Sequence, residues 1–177
     1  MRRRTVIAGG LVGLAVVGLA AVSILHSHGA ETKPARPTPS GLAVPRYVSL
    51  KFDAVNARAG PGDDHRLLFV FHAKGLPVQV VAETTDWRRV CDPDGGLSWV
   101  HKRTTDGRRT VMVLKGAPVP IRSAPRSDAP VTAYLAPRAL AAYQRCQKDW
   151  CAVRVDHASG WTQALNLWGV ADSPQCR

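Results

Sequence analysis

Residues 56–62 read NARAGPG and run on into DDHRLLFVFHAKG (63–75). The glycines around Pro61 allow two readings. A loop that cradles phosphate needs backbone N–H groups aimed at the ligand and a helix N-terminus behind them. Pro61 has no N–H to give. Behind it stand two carboxylates, Asp63 and Asp64, and then the apolar run LLFVF. The stretch therefore reads as a turn that reverses a strand. Gly60 and Gly62 permit positive φ, Pro61 fixes φ between them, and the two Asp side chains can bond local amides.

Working outward, the chain from Arg46 onward reads as short strands and turns. RYVSLKF alternates, and LPVQVVAE, DWRRVCD, LSWVHKR and RTVMVLKG follow, each bounded by Gly, Pro or Asp. No window after the leader sustains helical periodicity; RALAAYQRC (138–146) comes nearest. Regular short strands with turn signals predict an all-β fold of small barrels or sandwiches.

The same turn returns later in the chain. RAGPGDD (58–64) is echoed by RSAPRSD (122–128), so Arg58 matches Arg122. Asp86-Trp87 matches Asp149-Trp150, and Trp99 matches Trp161. The offsets shrink only from 64 to 62, which marks two modules, 46–110 and 111–177. Each is near the lower size limit for an independent core, where bridges or domain contacts help.

What precedes the modules decides the compartment. MRRR is a positive n-region, and residues 5–25 then run without a charge. That pattern fits a secretory leader over residues 1–30, and the run is also long enough for an uncleaved inner-membrane anchor. ETKPARPTPSGLAVP (31–45) reads as a semi-stiff, extended linker. Four cysteines suit an oxidising compartment. Cys146 and Cys151 flank the short polar stretch QKDW between two strand-like runs, so a hairpin bridge is favoured, which leaves Cys91 with Cys176 as a link between the halves. A zinc site from Cys146, Cys151, His157 and Cys176 matches no ligand spacing.

In the first module the order Asn56, Arg58, Gly60-Pro61-Gly62, Lys74-Gly75, Val78 and Val80, Asp86-Trp87, Val90, Trp99-Val100 resembles a bacterial SH3-like domain. The second module is a weaker copy, without the Asn or the first Gly of the turn. The resemblance implies two tandem half-open barrels after an N-terminal apolar helix and linker, with no chemistry of their own. It also implies cell-envelope association, because related modules on cell-wall hydrolases bind peptidoglycan peptides. Placed on these residues, it implies a ligand groove built from Tyr47, Asn56, Arg58, Trp87 and Trp150. Large aromatics give contact area at low entropy cost, and Arg can clamp a carboxylate through two parallel bonds. Each residue also has a plain structural role open to it. Trp87 can cap the barrel rim, Arg58 can pair with Asp63 or Asp86, and Tyr47 can simply follow the strand pattern. Trp99 and Trp161, with apolar neighbours, read as mainly structural.

Other functions find less support. The net charge of +11 divides as +4, +3 and +4 over residues 1–45, 46–110 and 111–177, with no basic stripe interleaved with aromatics, so nucleic acid is not the expected partner. No cysteine lies in a nucleophile motif, and His65, His72, His101 and His157 lack metal-ligand spacing. Asp92-Pro93-Asp94-Gly95-Gly96 reads as a loop rather than a calcium site. The expected partner is a peptidoglycan peptide or an envelope protein, with no cofactor.

Overall fold

The computed structural model describes residues 38–114 and 116–176, where short strands joined by turns and loops are the main elements. The apolar run at 5–25 and the start of the linker lie outside it. No helix among the described residues is long and apolar enough to cross a membrane.

Seven strands make the first sheet: β1 (Arg46–Leu50), β2 (Val55–Arg58), β3 (Leu67–Phe71), β4 (Pro77–Glu83), β5 (Trp87–Cys91), β6 (Leu97–His101) and β7 (Thr105–Asp106). Seven more make the second: β8 (Thr110–Val113), β9 (Val119–Arg122), β10 (Val131–Leu135), β11 (Leu140–Gln147), β12 (Trp150–Val155), β13 (Ala158–Gln163) and β14 (Leu167–Trp168). The orders are β3-β2-β6-β5-β4-β1-β7 and β10-β9-β13-β12-β11-β8-β14, the same path traced twice. The fold is all-β, as the turn pattern predicts. RALAAYQRC is not helical but lies largely in β11, because its alternating side chains pack one face on the second core.

The duplication reaches single hydrogen bonds. The Ala59 amide donates to the Arg66 carbonyl at 3.0 Å, and the Ser123 amide donates to that of Pro130 at 3.0 Å. Arg58 donates to the His65 carbonyl at 2.9 Å, and Arg122 donates to that of Ala129 at 2.7 Å. NARAGPG is thus one side of a hairpin arm, tied across its base by an arginine. Where the chain turns into β4, Gly75 sits at φ +81°; the matching residue before β11 is Arg138, at φ 64°.

Each sheet curls on its own core. Val48, Leu50, Val55, Val78, Val80, Val90 and Val100 fill the first, and Val111, Val113, Ile121, Leu135 and Val153 the second. The two are not separate bodies. In β8 the alternation sends Val111 and Val113 into the second core and Met112, 2% exposed, into the first. Trp168 follows Met112, with its indole Nε1 donating to the Pro77 carbonyl at 3.2 Å. Arg109 lies 4.0 Å from the Tyr143 ring centre and donates to the Gly169 carbonyl at 2.8 Å.

The C-terminal tail closes the arrangement. Buried Gln79 holds it on both sides, donating to the Ser173 carbonyl at 2.8 Å and accepting from the Gln175 amide at 2.8 Å. Disulfides join Cys91 to Cys176 and Cys146 to Cys151. The second spans the facing pair of the β11–β12 hairpin. All four thiols are therefore consumed, and the cysteine donors of a zinc site go with them. At the other end, residues 38–41 close a turn rather than running extended, with the Gly41 amide donating to the Thr38 carbonyl at 2.9 Å. Ser40 and Arg46 both bond the buried Glu83 carboxylate, which fastens this end of the linker to the first module.

Candidate functional site

Residues directly opposite one another in a sheet share a face, so the register fixes which side chains meet. Arg58 on β2 faces Trp99 on β6, and Trp99 faces Arg89 on β5. One step along, Trp87 faces His101, with ring centres 5.2 Å apart. Asn56 precedes Arg58 by two residues and is exposed. The core takes Ser98 and Val100 from β6, and it leaves Leu97, Trp99 and His101 on the outer face, each half-buried. The structure thus gathers Asn56, Arg58, Trp87, Arg89, Trp99 and His101 on one outer face of β2, β6 and β5.

The second module repeats the row with one exchange. Arg122 faces Trp161, Trp161 faces Ala152, and Ala152 faces Arg145. By the offset of 63, Arg89 corresponds to Ala152 and Ala82 to Arg145. The second guanidinium has moved one strand over. It still reaches the tryptophan, because Arg145 lies 5.1 Å from the Trp161 ring centre. Both modules therefore present an indole between two arginines. Pro120 stands where the first module has Asn56, and Trp150, half-buried, faces Gln163.

The arginines are not equivalent. Arg58 is committed to the hairpin arm, bonding the His65 carbonyl and lying 3.3 Å from Asp63. Arg89 is exposed and forms no ion pair among the described residues. Its guanidinium is open for a carboxylate from outside.

Of the residues expected in a groove, Trp87 sits at the rim, only 9% exposed and covered by His101. Tyr47 lies elsewhere. It is on β1, edge-on to Trp168 at 6.0 Å and 5.8 Å from Arg109, in the seam between modules. Its hydroxyl is buried without a hydrogen-bond partner among the described residues. Burial pushes that hydroxyl up to about 12, against the pull of Arg109 and with a further push from Asp172.

Sequence reasoning passes over Arg89 and Arg145 and reads Trp99 and Trp161 as mainly structural. The repeat already marked both tryptophans; what it lacked was the sense of the alternation in LSWVH. Beside this face stand the arms, whose outer strands β3 and β10 end the two sheets. They expose Leu67 (45%), Phe69 (41%), Val131 (39%) and Tyr134 (67%), large apolar groups that a folded chain usually covers.

Two solved structures from Trichomonas vaginalis, of NlpC2 and NlpC1, are similar at 11% and 12% identity with TM-scores of 0.32. They cover 70% of this chain, which spans 48% and 45% of theirs, less than half of either. No curated protein matches. The family comparison is specific: the bacterial SH3 domain matches residues 51–107 and again 115–169, one stretch in each sheet. The chain belongs to the bacterial SH3 domain family, in two tandem copies.

Proposed function

We propose that the protein is a non-catalytic cell-envelope binding module that recognises a peptide carrying a carboxylate, as in peptidoglycan stems. The observation that carries this is the outer-face row Arg58–Trp99–Arg89 and its counterpart Arg122–Trp161 with Arg145, in which Arg89 and Arg145 are exposed. An indole supplies flat apolar area, and flanking guanidiniums supply paired donors. Asn56 and the rim of Trp87 border the same face and are the remaining contacts of this groove. Two disulfides suit an exported chain. With all four cysteines bridged, none serves as a nucleophile.

Purified full chain, incubated with isolated murein sacculi and spun down, tests the reading. The chain is expected in the pellet. The R89A/W99A variant, matched by circular dichroism, should be retained at least about tenfold less, since central Arg and Trp contacts each exceed about 1–2 kcal/mol. Equal retention of variant and parent would remove this face from the function.

The exposed edges β3 and β10 favour a second reading, a protein–protein scaffold within the envelope. An exposed strand edge can be extended by a strand from a partner, and the apolar groups on both arms add area. That reading predicts indifference to murein, a stable complex from envelope extracts, and loss of the complex in L67D/F69D.

A further inference from the structure

The seam between the two modules forms a half-open cavity of about 360 Å³, of a size that holds small ligands. Five cationic side chains line it: Lys51 and Lys74 from the first module, Arg108 and Arg109 from the connection, and Arg154 from β12. One carboxylate, Asp106, stands among them. Asp106 is taken by Arg108, whose Nε and Nη2 donate to it at 2.8 and 2.6 Å. Lys51, Lys74, Arg109 and Arg154 form no ion pair among the described residues.

Like charges gathered around one concavity repel one another, and a low-dielectric wall strengthens the field inside it. The wall here is built and pinned. Thr110 donates its hydroxyl to the Gly75 carbonyl at 2.6 Å, its amide donates to Ser49 Oγ at 3.2 Å, and Ser49 donates to the Arg108 carbonyl at 2.7 Å. Arg109 is held against Tyr143 and the Gly169 carbonyl, and its Nε is buried with no acceptor. These contacts fix the floor of the cavity and Arg109 without neutralising its charge, the exposed Lys51, Lys74 and Arg154 stand around it, and no single module supplies it all.

We propose that this cavity is an anion site for a phosphoryl group, completed only when both modules are docked. Two lysines and the pinned Arg109 act as point charges and Arg154 as a fork, a mixture that suits a compact, multiply charged tetrahedral group better than one planar carboxylate. The site shares no residue with the Arg–Trp face and stands or falls apart from that reading.

Titration of the full chain with inorganic phosphate at low ionic strength, followed by amide NMR, tests the proposal. Saturable shifts are expected, centred on Lys74, Gly75, Arg109 and Thr110. K51Q/K74Q should weaken binding at least roughly tenfold. R66Q/R103Q, which removes two exposed cations outside the cavity, should change it less than about twofold. R154Q gives an independent reading from the other module should K51Q/K74Q disturb the fold. A glycerol phosphate oligomer in a parallel titration distinguishes sources: tighter binding than inorganic phosphate marks a phosphodiester polymer as the ligand, and equal or weaker binding marks free phosphate. Non-saturable shifts, shifts centred elsewhere, or equal losses in both double variants would overturn the proposal in favour of diffuse attraction to a basic protein.

Discussion

Removing each disulfide in turn separates what the bridges do. Cys91–Cys176 spans a sequence separation of 85, and Cys146–Cys151 one of 5. A cross-link restricts the unfolded chain more as the loop lengthens. Loop-closure entropy assigns about 4.5 kcal/mol to the long bridge and about 2 kcal/mol to the short one. C91A/C176A and C146A/C151A each truncate one fully buried sulfur, Cys91 or Cys151, so the packing losses are matched. The difference of about 2.5 kcal/mol is therefore the term of interest. In urea unfolding at neutral pH, it should bring the midpoint of C91A/C176A about 1 M below that of C146A/C151A. Far-ultraviolet dichroism and tryptophan fluorescence should report the same transition, because β8 serves both cores. Equal midpoints would show that the tail bridge does not constrain the unfolded chain as reasoned. Fluorescence and dichroism transitions that part company would show that the two modules unfold separately.

Glu83 carries the clearest pH dependence. Burial pushes its carboxyl up, but hydrogen bonds from Ser40 and Arg46 prevail and hold it at about 2. A depressed folded value stabilises the protein above the ordinary carboxyl range and loses that stabilisation as pH falls from about 4.5 to about 2. E83Q should cost up to about 3 kcal/mol at pH 7 and flatten the melting temperature between pH 4.5 and 2; a variant curve parallel to the parent's would contradict the assignment. Gly160 faces the second module's arm so closely that a Cβ would lie 2.4 Å from the Arg122 carbonyl oxygen and 2.6 Å from Ile121. G160A should therefore lose roughly 1–3 kcal/mol, read by thermal melting, and an unchanged melt would mean the strand is free to shift. Gln79→Leu removes both bonds to the tail, and in the bridged protein hydrogen exchange at the Gln175 amide should quicken at least about tenfold, the equivalent of one lost hydrogen bond. Unchanged exchange there would mean that the bridge alone holds the tail.

Much of this architecture is written in the spacing of a few residues. Arg58 and Trp99 recur as Arg122 and Trp161, and both pairs prove to be cross-strand neighbours. An offset drifting from 64 to 62 is what two equal barrels with slightly different loops produce. The missing N–H of Pro61 excluded a phosphate loop, and the hairpin arm replaced it. The candidate face was only half legible. Period-two alternation in LSWVH separates Trp99 from Val100, yet both sides of that strand are apolar, so sequence alone cannot say which side meets the core. The arginine that keeps Trp161 company is harder still. Arg89 lies on β5, the match of β12, whereas Arg145 lies on β11, and only the register shows the two to be alternative answers to one requirement.

The seam was illegible for a different physical reason. TVMV in β8 shows apolar groups on both faces, which in a lone half-exposed strand reads as an error of patterning. It becomes consistent once a second core lies behind the strand and takes Met112, while Val111 and Val113 stay with their own. The same neighbour accounts for Tyr47, whose ring alternates correctly for β1 and meets Trp168 of the second module and Arg109 of the connection. Local pattern reports how many faces of a strand are covered, and never by what. In a tandem repeat the covering surface is a copy of the chain itself, displaced by some sixty residues. The residues that the second copy recruits for docking, Met112 and its neighbour Trp168, stand where the first copy has Ser49 and Asp106. Met112 and Trp168, which depart from the repeat, therefore encode the seam, while Arg58 and Trp99 recur as Arg122 and Trp161 and keep the same cross-strand pair in both barrels.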